Sequence, residues 1–365
     1  MPKIKDIARQ LELLAPLSHQ ESYDNSGLLA GDPDTELRDV LICLEITDAV
    51  IEEAVNRGCN LIVSHHPLIF KPIRKLTGAH WTERCLLKAI RHEVGLYAIH
   101  TNLDNVIGGV NSALAHRIGL EKVRILAPRT GTLAKLTTFV PSESLRDVLD
   151  ALHKAGAGII GNYENCSFRI KGTGTFRPGA EAQPRIGRRE NLEEVEEERI
   201  EVIFPAYRKA DLLAALRRSH PYEEVAYYLH DLANEDSGIG SGIIGCLPAP
   251  MEFDAFIALL KDRFHTPVVR HSAFGRGRVQ SIAVCGGAGS FLIPTALASG
   301  ADVFVSADFK YHDFFEGQPA MAIADIGHYE SEQWTKELLA KFLSQKFPNI
   351  ALRLSEVVTN PIHYT

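Results

Sequence analysis

The sequence predicts an α/β protein whose two outer parts carry mostly parallel sheets, interrupted by an inserted α+β domain of ferredoxin-like order. Three observations carry this reading. Strand-like and helix-like segments alternate in the first third, the alternation returns in the last third, and the middle differs in composition. In the first third VLICLEI (40–46) reads as a buried strand, DAVIEEAVNRG as a helix ending at Gly58, and LIVS (61–64) as the next strand. A helix around ERCLLKAIRH, the strand VGLYAI (94–99) and a helix across VNSALAHRIG follow. Ahead of them, Ile4, Ile7, Ala8, Leu11 and Leu14 fall at helical spacing. In the last third SIAVC (281–285), DVFVSA (302–307) and MAIADI (321–326) read as strands and FLIPTALASG as helix-like. A helix from about Ser331 to Phe347 comes next. The middle, from about Gly131 to Ser241, holds amphipathic helices near ESLRDVLDALHKAG and KADLLAALRRS. Strand-like LAKLTTFV, EVIFPA and EVAYYLHDL flank them, with a Gly-, Arg- and Glu-rich stretch between, an order of the βαβ-βαβ kind. The Glu-rich run at 190–198 reads as a solvated face or loop. The expected division is 1–130 and 242–365 as two parts of one α/β domain, with 131–241 inserted.

At 365 residues the chain exceeds one average domain. Hydrophobic residues at 45% and charged ones at 23% suit a soluble protein with a sizeable core. A formal net charge of -7 argues against general binding of nucleic acid, which needs a basic surface. MPKIKDIARQLELLAPL lacks the apolar core of a signal peptide, and no apolar run reaches the length of a membrane span. A cytoplasmic protein with no membrane partner is expected. Cys43, Cys59, Cys85, Cys166, Cys246 and Cys285 form no CxxC pair, and buried reduced thiols are the expected state.

The chemistry-bearing residues fall in three clusters. In LIVSHHPLIF two histidines, His65 and His66, follow an apolar strand, and Pro67 prevents simple continuation of a central strand. Ligands of open α/β sheets sit at the carboxyl ends of strands, which is where both fall. Adjacent side chains on a regular strand point to opposite faces, so the backbone must turn there or each histidine must serve a different metal. In YAIHTNLDN, His100 and Asp104 again lie just past a strand's carboxyl end, although Asp104 could simply brace its loop. In DIGHYESEQW, His328 and Glu332 are four apart and share a helix face, near the direction of Leu339 and Phe342. An inward-facing imidazole and carboxylate need partners: a divalent cation would serve, and so would a buried His–Glu hydrogen bond. Together these groups could surround two divalent ions. Imidazole with carboxylate suits zinc, iron, manganese or nickel, and no thiolate forces zinc.

In this order the segments resemble the bacterial family known as GTP cyclohydrolase 1 type 2 homologues, hexameric proteins with a dinuclear metal centre. The resemblance runs through YDNSGLLAG (23–31), LIVSHHPLIFKPI (61–73), IHTNLDNVIGGVN (99–111), VCGGAGS (284–290), GADVFVSADFKYHD (300–313) and IADIGHYESE (323–332). It implies His65, His66, Asp104, His328 and Glu332 as the metal ligands, with His100 outside the ligand shell or only transiently in it. It also implies a PII-like inserted domain closing near HPYEEVAYYL (220–229), and a toroidal homohexamer whose metal sites face an internal cavity. Glu45 and Ala307 stand where many relatives have aspartate and glycine.

Around these residues, Asp308, Lys310, Tyr311 and His312 follow a strand's carboxyl end. Lys310 could neutralise a phosphate and His312 could transfer a proton, or the group could be structural. The run Cys285 to Ser290 reads as a tight turn in preference to an anion cradle. Asp24, Asn25 and Ser26 could line the cavity or form a turn. The resemblance implies a hydrolase that opens the guanine imidazole ring of GTP and releases formate, with His312 or His100 as proton donor. A metal-dependent phosphoesterase, or a non-enzymatic metal-binding or regulatory hexamer, is the alternative.

Overall fold

Every position of Cys59–Ser64 is buried, so this segment has no solvent face, and it forms the middle strand of a five-stranded sheet. In the computed structural model, which describes residues 1–275 and 277–365, the sheet order is Gly27–Ala30, Gly95–Ala98, Cys59–Ser64, Asp39–Cys43, Leu352–Leu354. All neighbours pair in parallel except the edge strand Gly27–Ala30, which is antiparallel to Gly95–Ala98. The helices Asp48–Asn56 and Trp81–Arg91 make the crossovers that parallel pairing demands.

A second, six-stranded sheet has the order Arg270–His271, Ala322–Asp325, Val303–Ala307, Arg278–Ala288, Glu235–Glu252, Glu121–Thr130. Here the expectation of mostly parallel strands is corrected. Only the three strands from Arg278–Ala288 to Ala322–Asp325 run parallel, and antiparallel strands flank them on both sides. Residues of both sheets share one core, with Leu61, Val63 and Tyr97 from the first and Val284, Val303 and Val305 from the second. Ile4, Ile7 and Leu11 of the helix Ile4–Leu14 complete it.

The expected helix over 331–347 is two helices, His328–Glu332 and Thr335–Lys346, with Gln333 and Trp334 between them. The phase argument linking His328 and Glu332 to Leu339 and Phe342 therefore does not run through a continuous helix, although Leu339 is fully buried.

The chain divides into two units, Met1–Ala127 with Gly238–Thr365, and Pro128–Ser237. Within the second, an antiparallel sheet has the order Phe168–Phe176, Glu193–Pro205, Leu133–Pro141, Tyr227–Asp231. Val148 and Leu152 of the helix Leu145–Lys154, and Leu212 and Leu216 of Lys209–Ser219, pack onto Leu136, Val140, Ile200 and Val202. The Glu-rich run is strand, not loop: its exposed Glu194 and Glu196 alternate with Val195, while Glu197 is buried. Among the described residues no helix is long and apolar enough to cross a membrane. All six cysteines are free thiols; Cys43, Cys59, Cys85 and Cys285 are buried, and Cys166 and Cys246 are half-buried.

Candidate metal centre

Strand pairing carries His65 and His66 beyond the end of Cys59–Ser64. The His65 N–H donates to the Cys43 carbonyl at 3.2 Å and the His66 N–H to the Leu44 carbonyl at 3.0 Å. The Ser64 hydroxyl donates back to the His66 carbonyl at 2.7 Å, which fixes the turn before Pro67. Both imidazoles thereby reach one place, with ring centroids 4.8 Å apart. His65 is fully buried and His66 half-buried.

The strand Gly95–Ala98 ends in the short helix Thr101–Asp104. Its entry is fixed by Asp24, which accepts the Thr101 N–H at 3.0 Å and the Thr101 hydroxyl. The Asn111 amide donates to the Asp104 carbonyl at 2.9 Å. His100 stands at the head of this turn, its ring 5.3 Å from that of His65 and 5.1 Å from that of His66.

His328 and Glu332 open and close their own helix, and His328 Nε2 lies 3.0 Å from Glu332 Oε2. That oxygen is also 2.9 Å from His66 Nε2, and His65 Nε2 is 3.8 Å from Glu332 Oε1 and 3.7 Å from Asp104 Oδ1. The five expected ligands thus converge in one cluster.

The second ring nitrogen of each imidazole is taken. His65 Nδ1 is 2.8 Å from the Ile99 carbonyl, and His66 Nδ1 is 2.5 Å from Glu45 Oε1. His100 Nδ1 is 2.8 Å from Asp24 Oδ1, and His328 Nδ1 is 2.7 Å from Asp308 Oδ2. An acceptor at Nδ1 places the proton there and leaves the Nε2 lone pair free, the arrangement that metal-binding histidines use. The Nε2 atoms of His66 and His328 face each other at 3.4 Å. Among the described residues, the buried atoms His65 Nε2, Asp104 Oδ1 and Glu332 Oε2 have no partner with hydrogen-bond geometry, despite their short contacts. Such orphaned atoms are costly unless something else binds them, and a divalent cation fits this donor set. Two overlapping groups could hold an ion: His65, His66 and His100, and His66, His328 and Glu332.

Without a metal, the groups of the cluster hold protons in one another's place. Burial, then the neighbouring Glu332 carboxylate, pushes the Asp104 carboxyl up to about 7. Burial also favours a neutral Glu332, but His66 and then His328 outweigh it and hold the carboxyl well below the ordinary range. In His328 burial opposes the charge, while Glu332 and then Asp308 overcome it and push the imidazole up to about 9.

The glycine-rich run corrects one expectation. The strand Arg278–Ala288 reaches into the run instead of ending before it, with a register shift between Val284 and Ala288 and Gly287 at φ +60°. Two amides of the run are not open to an anion: Gly286 N–H donates to Asn111 Oδ1 at 2.8 Å and Gly287 N–H to Ser331 Oγ at 3.0 Å. A Cβ on Gly287 would lie 2.3 Å from Glu332 Oε1, so the glycine makes room for the carboxylate.

Of the candidate proton donors, His100 is in the cluster. His312 is exposed and its ring packs on Tyr311 at 5.2 Å and Phe315 at 6.5 Å. Lys310 is exposed too, and its N–H donates to Asp313 Oδ2 at 2.8 Å. Asn25 donates to the Ile69 carbonyl at 2.6 Å, and Ser26 Oγ contacts Asp24 Oδ2 at 3.2 Å. Sequence reasoning did not find the anchoring roles of Glu45 and Asp308. The departure noted at Glu45 was the one signal pointing to it.

Comparison with known proteins agrees in extent. The family model Duf34/NIF3 (NGG1p interacting factor 3) matches residues 2–361. A GTP cyclohydrolase 1 type 2 homolog of Halalkalibacterium halodurans is 39% identical over 363 residues, covering 98% of each chain. A solved Bacillus cereus protein related to NIF3 is similar with a TM-score of 0.88 at 34% identity, covering 100% of this chain and 99% of that one. A Staphylococcus aureus structure gives 0.79 at 32% identity, with the same coverage. The chain belongs to the Duf34/NIF3 family.

Proposed function

We propose that His65, His66, Asp104, His328 and Glu332 hold two divalent metal ions, and that the protein is a metal-dependent hydrolase acting on a nucleotide. The observation that carries this is the set of Nδ1 anchors, which turn the free Nε2 atoms onto two carboxylates with unpartnered buried oxygens. Glu332, in contact with both His66 and His328, would serve as a ligand beside each of them. Bound divalent ions supply a Lewis acid and a water of lowered pKa.

The name carried by the relatives points to GTP as substrate and to opening of the guanine imidazole ring with release of formate. In that reaction His100, as an imidazolium, would give the Nε2 proton to the departing ring nitrogen and keep the Nδ1 proton hydrogen-bonded to Asp24. Asp24 holds its Nδ1, and its ring edges toward His65 and His66. His312, exposed beside Tyr311, is the second choice.

We further read residues 128–237 as a PII-like domain, on the order strand, helix, two strands, helix, strand. A toroidal homohexamer in the cytoplasm is proposed on the resemblance in sequence, and light scattering tests the assembly.

The test of function is metal analysis of protein purified without chelator, with a turnover screen over GTP, other nucleotides and phosphoesters. Wild type should carry metal and consume GTP, while Glu332→Ala should lose both. Metal retained with no substrate consumed would sink the hydrolase reading in favour of a metal-binding or regulatory role.

A further inference from the structure

A cavity of about 810 Å³ opens beside the cluster, with Glu45, His66, His100 and His328 in its wall. Its volume falls in the range of small-molecule sites. The rest of its wall comes from one segment, residues 67–83, which joins the tandem histidines to the helix Trp81–Arg91. That segment places three cations within five residues, Lys71, Arg74 and Lys75, all exposed. None forms an ion pair with a described residue, in a chain whose net charge is -7. The two carboxylates of the same wall are already engaged. Glu45 is bound to His66, and Glu83 accepts the backbone N–H groups of Thr77, Gly78 and Ala79 at 2.8, 2.9 and 3.2 Å.

The Glu83 contacts do more than remove a charge. With the Thr77 hydroxyl as a fourth donor at 3.0 Å, the buried carboxylate fixes the far end of the segment. Asn25 fixes the near end through the Ile69 carbonyl at 2.6 Å. A cation-bearing wall held at both ends is organised before any ligand arrives, which lowers the entropy cost of binding. Two aromatic rings share it. Phe70 and Trp81, 43% and 52% exposed, present ring surface to this cavity. The Phe70 ring stands edge-on to His100 at 6.2 Å, so this wall is continuous with the cluster.

We infer that the segment 67–83 is a phosphate-binding wall, with Lys71, Arg74 and Lys75 taking the phosphates of an organic phosphate whose ring system lies against Phe70 and Trp81. This rests on the reading of the cluster as a hydrolytic metal centre, and it names the substrate class: anionic and phosphorylated, with a flat apolar part. Guanidinium and ammonium groups bind phosphate oxygens directly, and a base stacks on exposed aromatic faces.

The experiment is equilibrium dialysis of metal-loaded protein with GTP and with guanosine at low and moderate salt, with metal content measured on the same samples. Wild type should bind GTP more tightly than guanosine, and GTP affinity should fall as salt rises. The triple variant Lys71→Ala, Arg74→Ala, Lys75→Ala should keep its metal and weaken GTP binding by about tenfold or more, with guanosine unchanged. The inference is overturned if the triple variant binds GTP as wild type does, if guanosine binds wild type as tightly as GTP, or if wild type binds no nucleotide. GTP bound through these cations but never consumed would remove the hydrolase reading and leave this one standing. Turnover with an unchanged KM in the triple variant would do the reverse.

Discussion

Gly287→Ala separates the metal centre from the fold more cleanly than any change to a ligand. Gly287 lies at φ +60°, where an L-residue costs about 1–2 kcal/mol. The added Cβ would stand 2.3 Å from Glu332 Oε1 and 3.2 Å from His328 Cε1. Normal contact is about 3.5 Å, so the carboxylate must retreat by about 1 Å. The tolerance of a metal–ligand bond is about 0.2 Å, so a shift of that size takes Glu332 out of the coordination sphere. Overpacking adds about 1–3 kcal/mol of destabilisation, which a two-sheet core of this size should survive. Metal affinity should then fall by about 10–100-fold or more, with circular dichroism unchanged. Gly286→Ala is the control. It needs no left-handed backbone, and its Cβ would meet Val110 Cγ1 at 2.9 Å while staying 3.8 Å from Glu332 Oε1. Metal content by plasma mass spectrometry, with chelator competition, reads both variants. If Gly287→Ala held as much metal as Gly286→Ala, Glu332 would not be a ligand and the reasoning would fail.

Asp308→Asn should keep the left-handed backbone that Asp308 adopts at φ 58°, since Asn tolerates it, yet lose the carboxylate that orients His328. Metal affinity should drop by about 10–100-fold, with thermal stability after chelation little changed, both read by calorimetry. In the metal-free protein the Asp104 carboxyl is raised from its ordinary 3.8 to about 7, and the His328 imidazole from 6.5 to about 9. Both shifts are upward, so the stability each lends is complete below the ordinary value and is lost as pH climbs through the folded one. Glu332 works the other way, but its contribution is complete above its ordinary 4.5. Chelated protein should therefore lose thermal stability between about pH 5 and 9, while its affinity for added metal rises over the same window as protons are displaced. A thermal-shift series with and without chelator measures both, and a flat chelated curve would count against the cluster's charges. Phe304→Ala, at a fully buried position of the second sheet, should cost about 3–5 kcal/mol in urea unfolding and leave the metal stoichiometry of folded protein unchanged.

The parts of the site that sequence discloses are those set by local spacing. Two histidines after an apolar run mark a strand's carboxyl end, and an i, i+4 His–Glu pair shares a face on even a five-residue helix. What spacing cannot disclose is which distant acceptor meets each Nδ1. Glu45, Asp24 and Asp308 all sit just after strands or in turns, and their pairing follows from sheet order, not from sequence separation. The three strands read in the last third do pair in parallel, but the antiparallel strands that flank them, Glu235–Glu252 and Arg270–His271, are not among the strands read from sequence, so the sheet's mixed direction stays hidden there. The break at Gln333 and Trp334 was hidden because neither residue is a helix breaker, and alternation in the Glu-rich strand was masked by its charge.

The metal-free cluster is, on its own terms, a poor way to build a core. Its two carboxylates raise each other's cost, since Glu332 helps push Asp104 toward neutrality. Two imidazole nitrogens face each other at 3.4 Å and crowd onto the one Glu332 oxygen at 2.9 and 3.0 Å. Replacing a cluster of this kind by apolar residues is often neutral or stabilising, and a ligand that reversed each penalty at once would change that balance. A proton can satisfy one nitrogen or one carboxylate. A divalent cation neutralises both carboxylates and accepts several lone pairs together, which turns a set of mutually opposed groups into a coordination sphere. The five-stranded sheet supplies His65, His66 and Asp104, and the six-stranded sheet leads into His328 and Glu332. Metal bound there would also tie the two sheets together, so the stability gained on loading should be lost with Glu332 even where the apolar core is untouched.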